Sequence, residues 1–394
     1  MGNCCEPQEK EVDGEAPIKT VKRPQEIVRL FLIGSGEAGK STIIKQMQKL
    51  CEINPKDYQM YNEEWQPISD PIANRRDWTK IVHQNTLRVI TILIQKAAEF
   101  GYEYSSAELK RCADDILEFC GDDPDTIHLR ANTRVTPDLA AKIERLWTDS
   151  DGPISRTMQR RKEFVISDST NYFLNVEKLH EISHANYVPS TDDIIRARDP
   201  TVDIHDYNFL LHRVHFSIHD MGGQPVEQAK LPQFLSSWLQ NTRPGDRNFI
   251  LYMAALSDYN QMHPKHPDRT RLDESIARLQ VLLNMRELER CGFILFLNKR
   301  DIFEQKLTDD NDFSRLFEKY MDKKSSKKSL LNQAEKAVAS KFAEAVSETR
   351  RLNDTLYCRF TCAVDTQMME AIFGAVRNDI IHDLIRQGNW VPFP

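Results

Sequence analysis

The chain has 394 residues, is 40% hydrophobic, and carries 53 Lys and Arg against 59 Asp and Glu, a formal net charge of -6. Such a composition suits ordinary cores in two domains, or in one domain with a large insertion, and excludes a disordered chain. With both signs of charge mixed and no basic patch laced with aromatics, it also argues against nucleic acid as a partner.

The first residues, Met1-Gly2-Asn3-Cys4-Cys5, place Gly2 where N-myristoylation needs it, with Cys4 and Cys5 as acceptors for thioester-linked palmitate. Glu6 stands where that signal usually has Ser or Thr. Two acyl chains anchor a protein and one barely does, so the expected location is the cytoplasmic face of the plasma membrane. No apolar run is long enough to span a bilayer, which leaves lipid or a surface patch as the route to a membrane. The remaining cysteines, Cys51, Cys112, Cys120, Cys291, Cys358 and Cys362, form no Cys-x-x-Cys pair and follow no secretory leader, a reduced, cytosolic pattern. Pro7, Gly14, Pro17 and Pro24 oppose a continuous helix, so residues 1–25 read as a flexible arm.

Next comes an apolar run, Ile27 to Ile33, then Gly34-Ser35-Gly36-Glu37-Ala38-Gly39-Lys40-Ser41-Thr42, then a helical face of Ile43, Ile44, Met47 and Leu50. The order is strand, phosphate loop, helix. Glycine spacing lets successive amides from Glu37 to Thr42 turn toward a polyphosphate, Lys40 adds a point charge, the Ser41 hydroxyl suits Mg2+, and the helix dipole points at the same anion.

Residues 56–190 change character and read as an all-helical block. Leu87, Ile90, Ile94 and Ala97 share one face, Ser105 and Glu108 have the spacing of a capping box, and Thr136-Pro137 supplies a cap and a first-turn proline. From residue 191 strands alternate with helices again: Phe209 to Ile218, Phe249 to Leu256, Gly292 to Leu297 and Leu356 to Thr361. Alternation of that kind predicts a mostly parallel sheet flanked by helices. The first strand needs these partners, so residues 26–55 and 191–394 form one discontinuous α/β domain into which the helical domain, 56–190, is inserted. Lys323 to Lys328 reads as a solvated loop.

Open α/β sheets bind ligands at the carboxyl ends of their strands, and more chemistry falls there. In Asp220-Met221-Gly222-Gly223-Gln224, Asp220 can hold Mg2+ through water, the amides of Gly222 and Gly223 can approach a terminal phosphate, and Gln224 can orient an attacking water. In Asn298-Lys299-Arg300-Asp301, the Asp301 carboxylate can accept from both N1 and N2 of guanine, a donor pair adenine lacks. Thr361-Cys362-Ala363 can present a backbone N–H to the guanine O6. Each fragment alone is weak: an Asp-x-Gly-Gly turn can be only a turn, Asn-Lys-x-Asp only a helix cap, Arg198 only a surface arginine. Their order, each after a strand, is what carries weight.

On these residues the chain resembles the alpha subunit of a heterotrimeric G protein, over nearly its whole length. Asp193 to Thr201 is similar to the family's first switch, Ala255 to Tyr259 to its strand before the third helix, and Asp168 to Leu174 with Asn186 to Pro189 to the end of its helical domain. The resemblance implies a Ras-like P-loop GTPase domain with an inserted all-α domain, GTP and GDP as ligands with Mg2+, and a cycle between an active GTP state and an inactive GDP state. It implies that Arg198 and Gln224 are catalytic, that Ser41 and Thr201 bind Mg2+ directly, and that Thr201 and Gly223 sense the γ-phosphate. Asp168, Ser169, Ile195, Arg196 and Ala197 would join the nucleotide site, Lys299 would lie along the base and reach Asp168, and Glu37 would sit near Arg198. The family's partners are a βγ dimer, a seven-helix G protein-coupled receptor and an effector. Departures cluster on those surfaces. Pro225 and Pro232 interrupt the second switch, Gln228 replaces an arginine whose glutamate is kept as Glu274, the arm is proline-broken, and the tail is Trp390 to Pro394. A rival reading is a nucleotide-regulated binding module with negligible turnover, or one independent of a βγ dimer. A P-loop ATPase or nucleotide kinase is disfavoured by Asn298 to Asp301.

Overall fold

The computed structural model describes residues 23–121, 123–129, 133–199, 204–222, 229–263, 266–309, 312–320, 330–349 and 356–386. Strand β1 (Val28–Gly34) is buried along its whole length, as a strand covered on both faces must be. It leads through the Gly-rich loop into α1 (Lys40–Ile53). A short strand β2 (Tyr58–Tyr61) precedes the helical block of α2 (Asp77–Glu99), α3 (Ala107–Cys120), α4 (Pro137–Thr148), α5 (Pro153–Gln159), α6 (Thr170–Phe173) and α7 (Val176–Ser183). The chain returns through α8 (Thr191–Arg196), β3 (His205–Leu211), β4 (Val214–Asp220), α9 (Leu231–Gln240) and β5 (Arg247–Ala255). A small hairpin, β6 (Met262–His263) with β7 (His266–Thr270), precedes α10 (Arg271–Leu283). After it come β8 (Gly292–Asn298), α11 (Arg300–Asp309), α12 (Asp312–Leu316), α13 (Leu330–Ser347), β9 (Leu356–Phe360) and α14 (Thr366–Arg386).

The main sheet runs β2-β3-β4-β1-β5-β8-β9. β1 pairs in parallel with β4 on one side and β5 on the other, β5 with β8, and β8 with β9. Register aligns Leu32 with Asp220, Gly34 with Met253 and Ala255 with Asn298, so the carboxyl ends of neighbouring strands stand in a row. Side chains alternate between two cores because a strand has period 2. Phe31, Tyr252 and Leu295 face α9, α10 and α13 on one side, while Leu32, Leu251 and Ile294 face α1 and α14 on the other. A third core fills the helical block around α2, with Leu87, Ile90 and Leu93 fully buried and Ala197 at its border. The described cysteines are all free thiols. Among the described residues no helix is long and apolar enough to cross a membrane.

Three expectations need correction. The run Phe209 to Ile218 is two antiparallel strands, β3 and β4, joined by His212 and Arg213, both with positive φ (44° and 72°). That is the two-residue hairpin turn whose twist suits the strands, built here without the Asn or Gly that normally announces it. The stretch from residue 56 is not helical at its start, because β2 pairs antiparallel with β3 and extends the sheet. The cap of α3 is Ser106, whose hydroxyl accepts from Leu109 N at 3.2 Å, and not the Ser105–Glu108 box; Glu108 pairs instead with Arg145. Thr136 does cap α4, accepting from Leu139 N at 3.3 Å with Pro137 in the first turn.

Candidate functional site

The phosphate loop is shaped by backbone that only certain residues tolerate. Gly34 passes so close to β5 that a Cβ there would lie 2.4 Å from the Met253 carbonyl oxygen. Gly39 has φ +97°, and a Cβ on it would meet Asn298 Nδ2 at 2.3 Å. Gly39 also caps α1 without any side-chain bond, which leaves the first amides of the helix pointing at the cavity. Lys40 Nζ donates to the carbonyls of Gly34 and Ser35, each at 3.1 Å.

Ser41 Oγ donates to Asp220 Oδ2 at 2.7 Å, joining the start of α1 to the end of β4. Asp220 is 1% exposed, and burial pushes its carboxyl above the usual range, with the Ser41 bond and the Lys40 charge acting against it. Its Oδ1 is buried with no hydrogen-bond partner among the described residues. A buried carboxylate oxygen left over beside a hydroxyl is the donor set of a small hard cation that keeps part of its water, so these residues fit Mg2+.

Asn298 cross-braces three loops. Its Nδ2 donates to Ala38 O at 2.8 Å, and its Oδ1 accepts from Thr361 Oγ1 and Ala363 N, each at 3.0 Å. The Ala363 amide is thus already donated, and a base oxygen could take only a share of it. Lys299 has φ 63° and its Nζ meets Asp168 Oδ2 at 2.5 Å, across from β8 to the helical block. Burial alone would lower the Lys299 pKa, but the carboxylates of Asp168, Asp258 and Glu37 outweigh it and hold it up. Asp301 lies in the first turn of α11 beside the Cys362 thiol, which burial and that carboxylate push up to about 12.

Arg198 follows α8, whose start is fixed by a capping box: Ser190 Oγ accepts from Asp193 N, and the Asp193 carboxylate accepts from Ser190 N. Asp193 is fully buried and also accepts from Tyr172 OH at 2.7 Å and Tyr187 OH at 2.9 Å, so α8 is tied to the helical core. From there the Arg198 guanidinium crosses to Glu37 in the phosphate loop. Arg271, at the start of α10, approaches Glu37 at 3.9 Å and Asp258 at 3.6 Å. Lys45 lies under the same segment, its Nζ donating to Ala197 O at 2.8 Å and standing 4.3 Å from the Trp78 ring centroid. Burial lowers its pKa to about 8, with Asp199 and Asp220 pulling the other way.

These loops enclose a cavity of about 310 Å³. Glu37, Gly39, Lys40, Ser41 and Thr42 line it from one side, and Asn298, Lys299, Asp301 and Ala363 from another. Asp168, Ser169, Ile195, Arg196, Ala197 and Arg198 close it from the helical block and α8. Ala38 is buried behind the loop, Asp220 touches the lining through Ser41, and Gly222 is buried at the end of β4. Thr201, Gly223 and Gln224, and likewise Gly2, Cys4 and Cys5, lie outside the described residues.

A family model described as "G-protein alpha subunit" matches residues 7–381. The chain belongs to that family. This alpha subunit is similar to the guanine nucleotide-binding protein G(o) subunit alpha of Caenorhabditis elegans, 26% identical over 361 residues that cover 91% of this chain and 89% of that protein. It is accordingly a guanine nucleotide-binding signal transducer with the P-loop α/β fold and helical insertion described above.

Some residues at the cavity of the alpha subunit carry no local signal in the sequence. Lys45 sits on a helix whose apolar stripe suggests only core, and Arg271, beside the lining rather than in it, opens α10 among other charges yet approaches Glu37 at 3.9 Å. Glu274 differs from a lone acceptor awaiting the second switch: it bonds His263 Nε2 at 2.6 Å and pairs with Arg278 one turn along its own helix. Gln228, the other half of the expected lock, lies outside the described residues.

Proposed function

We propose that this alpha subunit is a GTP-hydrolysing switch, active with GTP and inactive with GDP, in which Arg198 and Gln224 are catalytic. The observation that carries the reading is the placement of Arg198 in the same cavity as Lys40 and the Gly39 turn, its guanidinium already spanning to Glu37. The base would stack along Lys299 with its N1 and N2 donors on Asp301, and the phosphates would lie on the amides of residues 37 to 42. Ser41, Thr201 and, through water, Asp220 would hold Mg2+, which when bound neutralises charge on the β- and γ-phosphates. Arg198 presents fixed N–H donors to phosphate oxygens and stays charged at any physiological pH. Its attraction grows as negative charge moves toward the leaving oxygen, so it favours the transition state over bound GTP. Gln224 would orient the attacking water.

Arg198→Cys is expected to bind GTP within a few-fold of wild type and to hydrolyse it more slowly in a single turnover by about a hundredfold or more, a magnitude carried over from the general chemistry of arginine fingers in this family. Unchanged single-turnover hydrolysis with faster GDP release would mean that Arg198 only closes the cleft against Glu37. We further propose that acyl chains on Gly2 and on Cys4 or Cys5 hold the protein at the plasma membrane; the departures in the second switch, the arm and the tail bear on the surfaces for a βγ dimer and a receptor, and a βγ pull-down tests that partner.

A further inference from the structure

The backbone around Arg198 is held by side chains from three different elements. Ser169 Oγ donates to Arg196 O at 2.9 Å, and Lys45 Nζ donates to Ala197 O at 2.8 Å. Asn85, in the interior of α2, does more: its Oδ1 accepts from Arg198 N at 2.7 Å while its Nδ2 donates to Arg198 O at 2.9 Å. The second hydrogen of the same amide goes to Ile81 O at 2.8 Å, one turn back in the helix. Both backbone groups of a single residue are thus read by one side-chain amide. Asparagine can do this because it places an acceptor and a donor side by side at short reach; Asp lacks the donor and Leu lacks both. Turning the amide over would set N–H against N–H and oxygen against oxygen, so the two bonds define its orientation. Asparagine is a poor choice for a helix interior on its own account, because its side chain competes for backbone bonds. Here that tendency is directed 113 residues away, onto the arginine that the proposed chemistry needs.

We infer that Asn85 is a positioning residue: it fixes the peptide of Arg198 so that the guanidinium is aimed into the cavity before nucleotide arrives, and it is the point at which the inserted helices act on hydrolysis. The inference rests on the catalytic reading of Arg198. A misplacement of about 1 Å in a group that stabilises a transition state is costly, up to about a hundredfold, while ground-state binding hardly registers it. Asn85 itself does not line the cavity, so nucleotide affinity has no reason to follow.

The test is a double-mutant cycle read by single-turnover GTP hydrolysis, alongside GDP and GTP affinity from fluorescent analogues. Asn85→Ala is expected to slow hydrolysis by about tenfold or more and to change affinity by less than about threefold. Asn85→Asp, nearly the same size but with a repelling oxygen in place of the donor, is expected to slow it as well, whereas a space-filling role predicts that it is harmless. Should Asn85→Ala not fold, Asn85→Asp decides. In the Arg198→Cys background, Asn85→Ala is expected to add nothing. Additive slowing there, unchanged hydrolysis in both single Asn85 variants, or a loss that tracks affinity would overturn the inference alone. Unchanged hydrolysis in Arg198→Cys would overturn the catalytic reading and this inference with it.

Discussion

His83 offers a sharp test of how the helical core is built. Its ring is 3% exposed, its Nδ1 accepts the Val135 N–H at 3.2 Å, and it stands edge-on to Tyr187 at 6.0 Å. Protonation at Nδ1 would break the first of these bonds and leave a charge inside an apolar cluster, and burial lowers the pKa from 6.5 to about 4. In the unfolded chain the same ring takes a proton near pH 6.5. Between those values the unfolded state binds more protons, so stability falls as pH falls, and the contribution present above pH 6.5 is lost progressively toward pH 4. Working the linkage through gives a loss of about 2 kcal/mol by pH 5 and about 3 kcal/mol at the acid end. His83→Asn keeps an acceptor near the Nδ1 position and cannot titrate. Urea unfolding of the two proteins between pH 7.5 and 4.5 is the assay. The variant pays a fixed packing loss at every pH, and the gap between the curves is expected to shrink by about 2 kcal/mol from pH 7 to pH 5. Parallel curves would refute the argument, since they would show that His83 either titrates equally in both states or is hydrated in the fold.

Asp301→Asn is expected to exchange guanine for xanthine preference, because an amide there donates to the xanthine 2-oxygen where the carboxylate accepted from the guanine amine; competition of GTP and XTP against labelled GDP measures it, and equal competition by ATP and GTP in the wild type would sink the base assignment. Gly2→Ala is expected to move the protein from membranes to the soluble fraction of a eukaryotic host, with loss of the myristoyl mass; an unmodified wild-type N-terminus in intact-mass analysis would remove that anchor.

What was legible in the sequence is what is local in the chain. The phosphate loop announces itself because its glycines, its lysine and its serine are consecutive and the strand and helix beside it have their own periodicities. Asn298 to Asp301 is legible for a similar reason, as a polar cluster ending an apolar run. The hairpin at His212 and Arg213 was hidden because its residues are unsuited to positive φ, and the paired strands on either side hold them there. β2 was hidden because Tyr-Gln-Met-Tyr is short and half exposed, and becomes a strand only when β3 supplies the partner. Asn85 and Lys45 were hidden more deeply. Each is a polar residue on an amphipathic helix, and what it bonds is backbone that lies more than a hundred residues further on. No pattern in α1 or α2 alone encodes that meeting.

The two passages between sheet and helical block are moored at the same place. On the outward passage Arg75 pairs with Glu52; on the return Thr191 donates to Glu52 at 3.2 Å and Asp192 meets Lys49 at 2.8 Å. Arg75 also donates to Thr191 at 2.8 Å, so the passages are bonded to each other. The C-terminal turn of α1 is therefore a fulcrum, and α2 is a lever that leaves it. Trp78 lies near the pivot and Asn85 about 13 Å farther out than Arg76, at 1.5 Å of rise per residue. A rotation of about 10° across the helix would hardly disturb the Lys45–Trp78 stack, yet it would carry Asn85 about 2 Å, beyond hydrogen-bond reach of Arg198. Arg198 would lose both bonds to its own peptide, and only the neighbouring carbonyls of Arg196 and Ala197 would stay held, by Ser169 and Lys45.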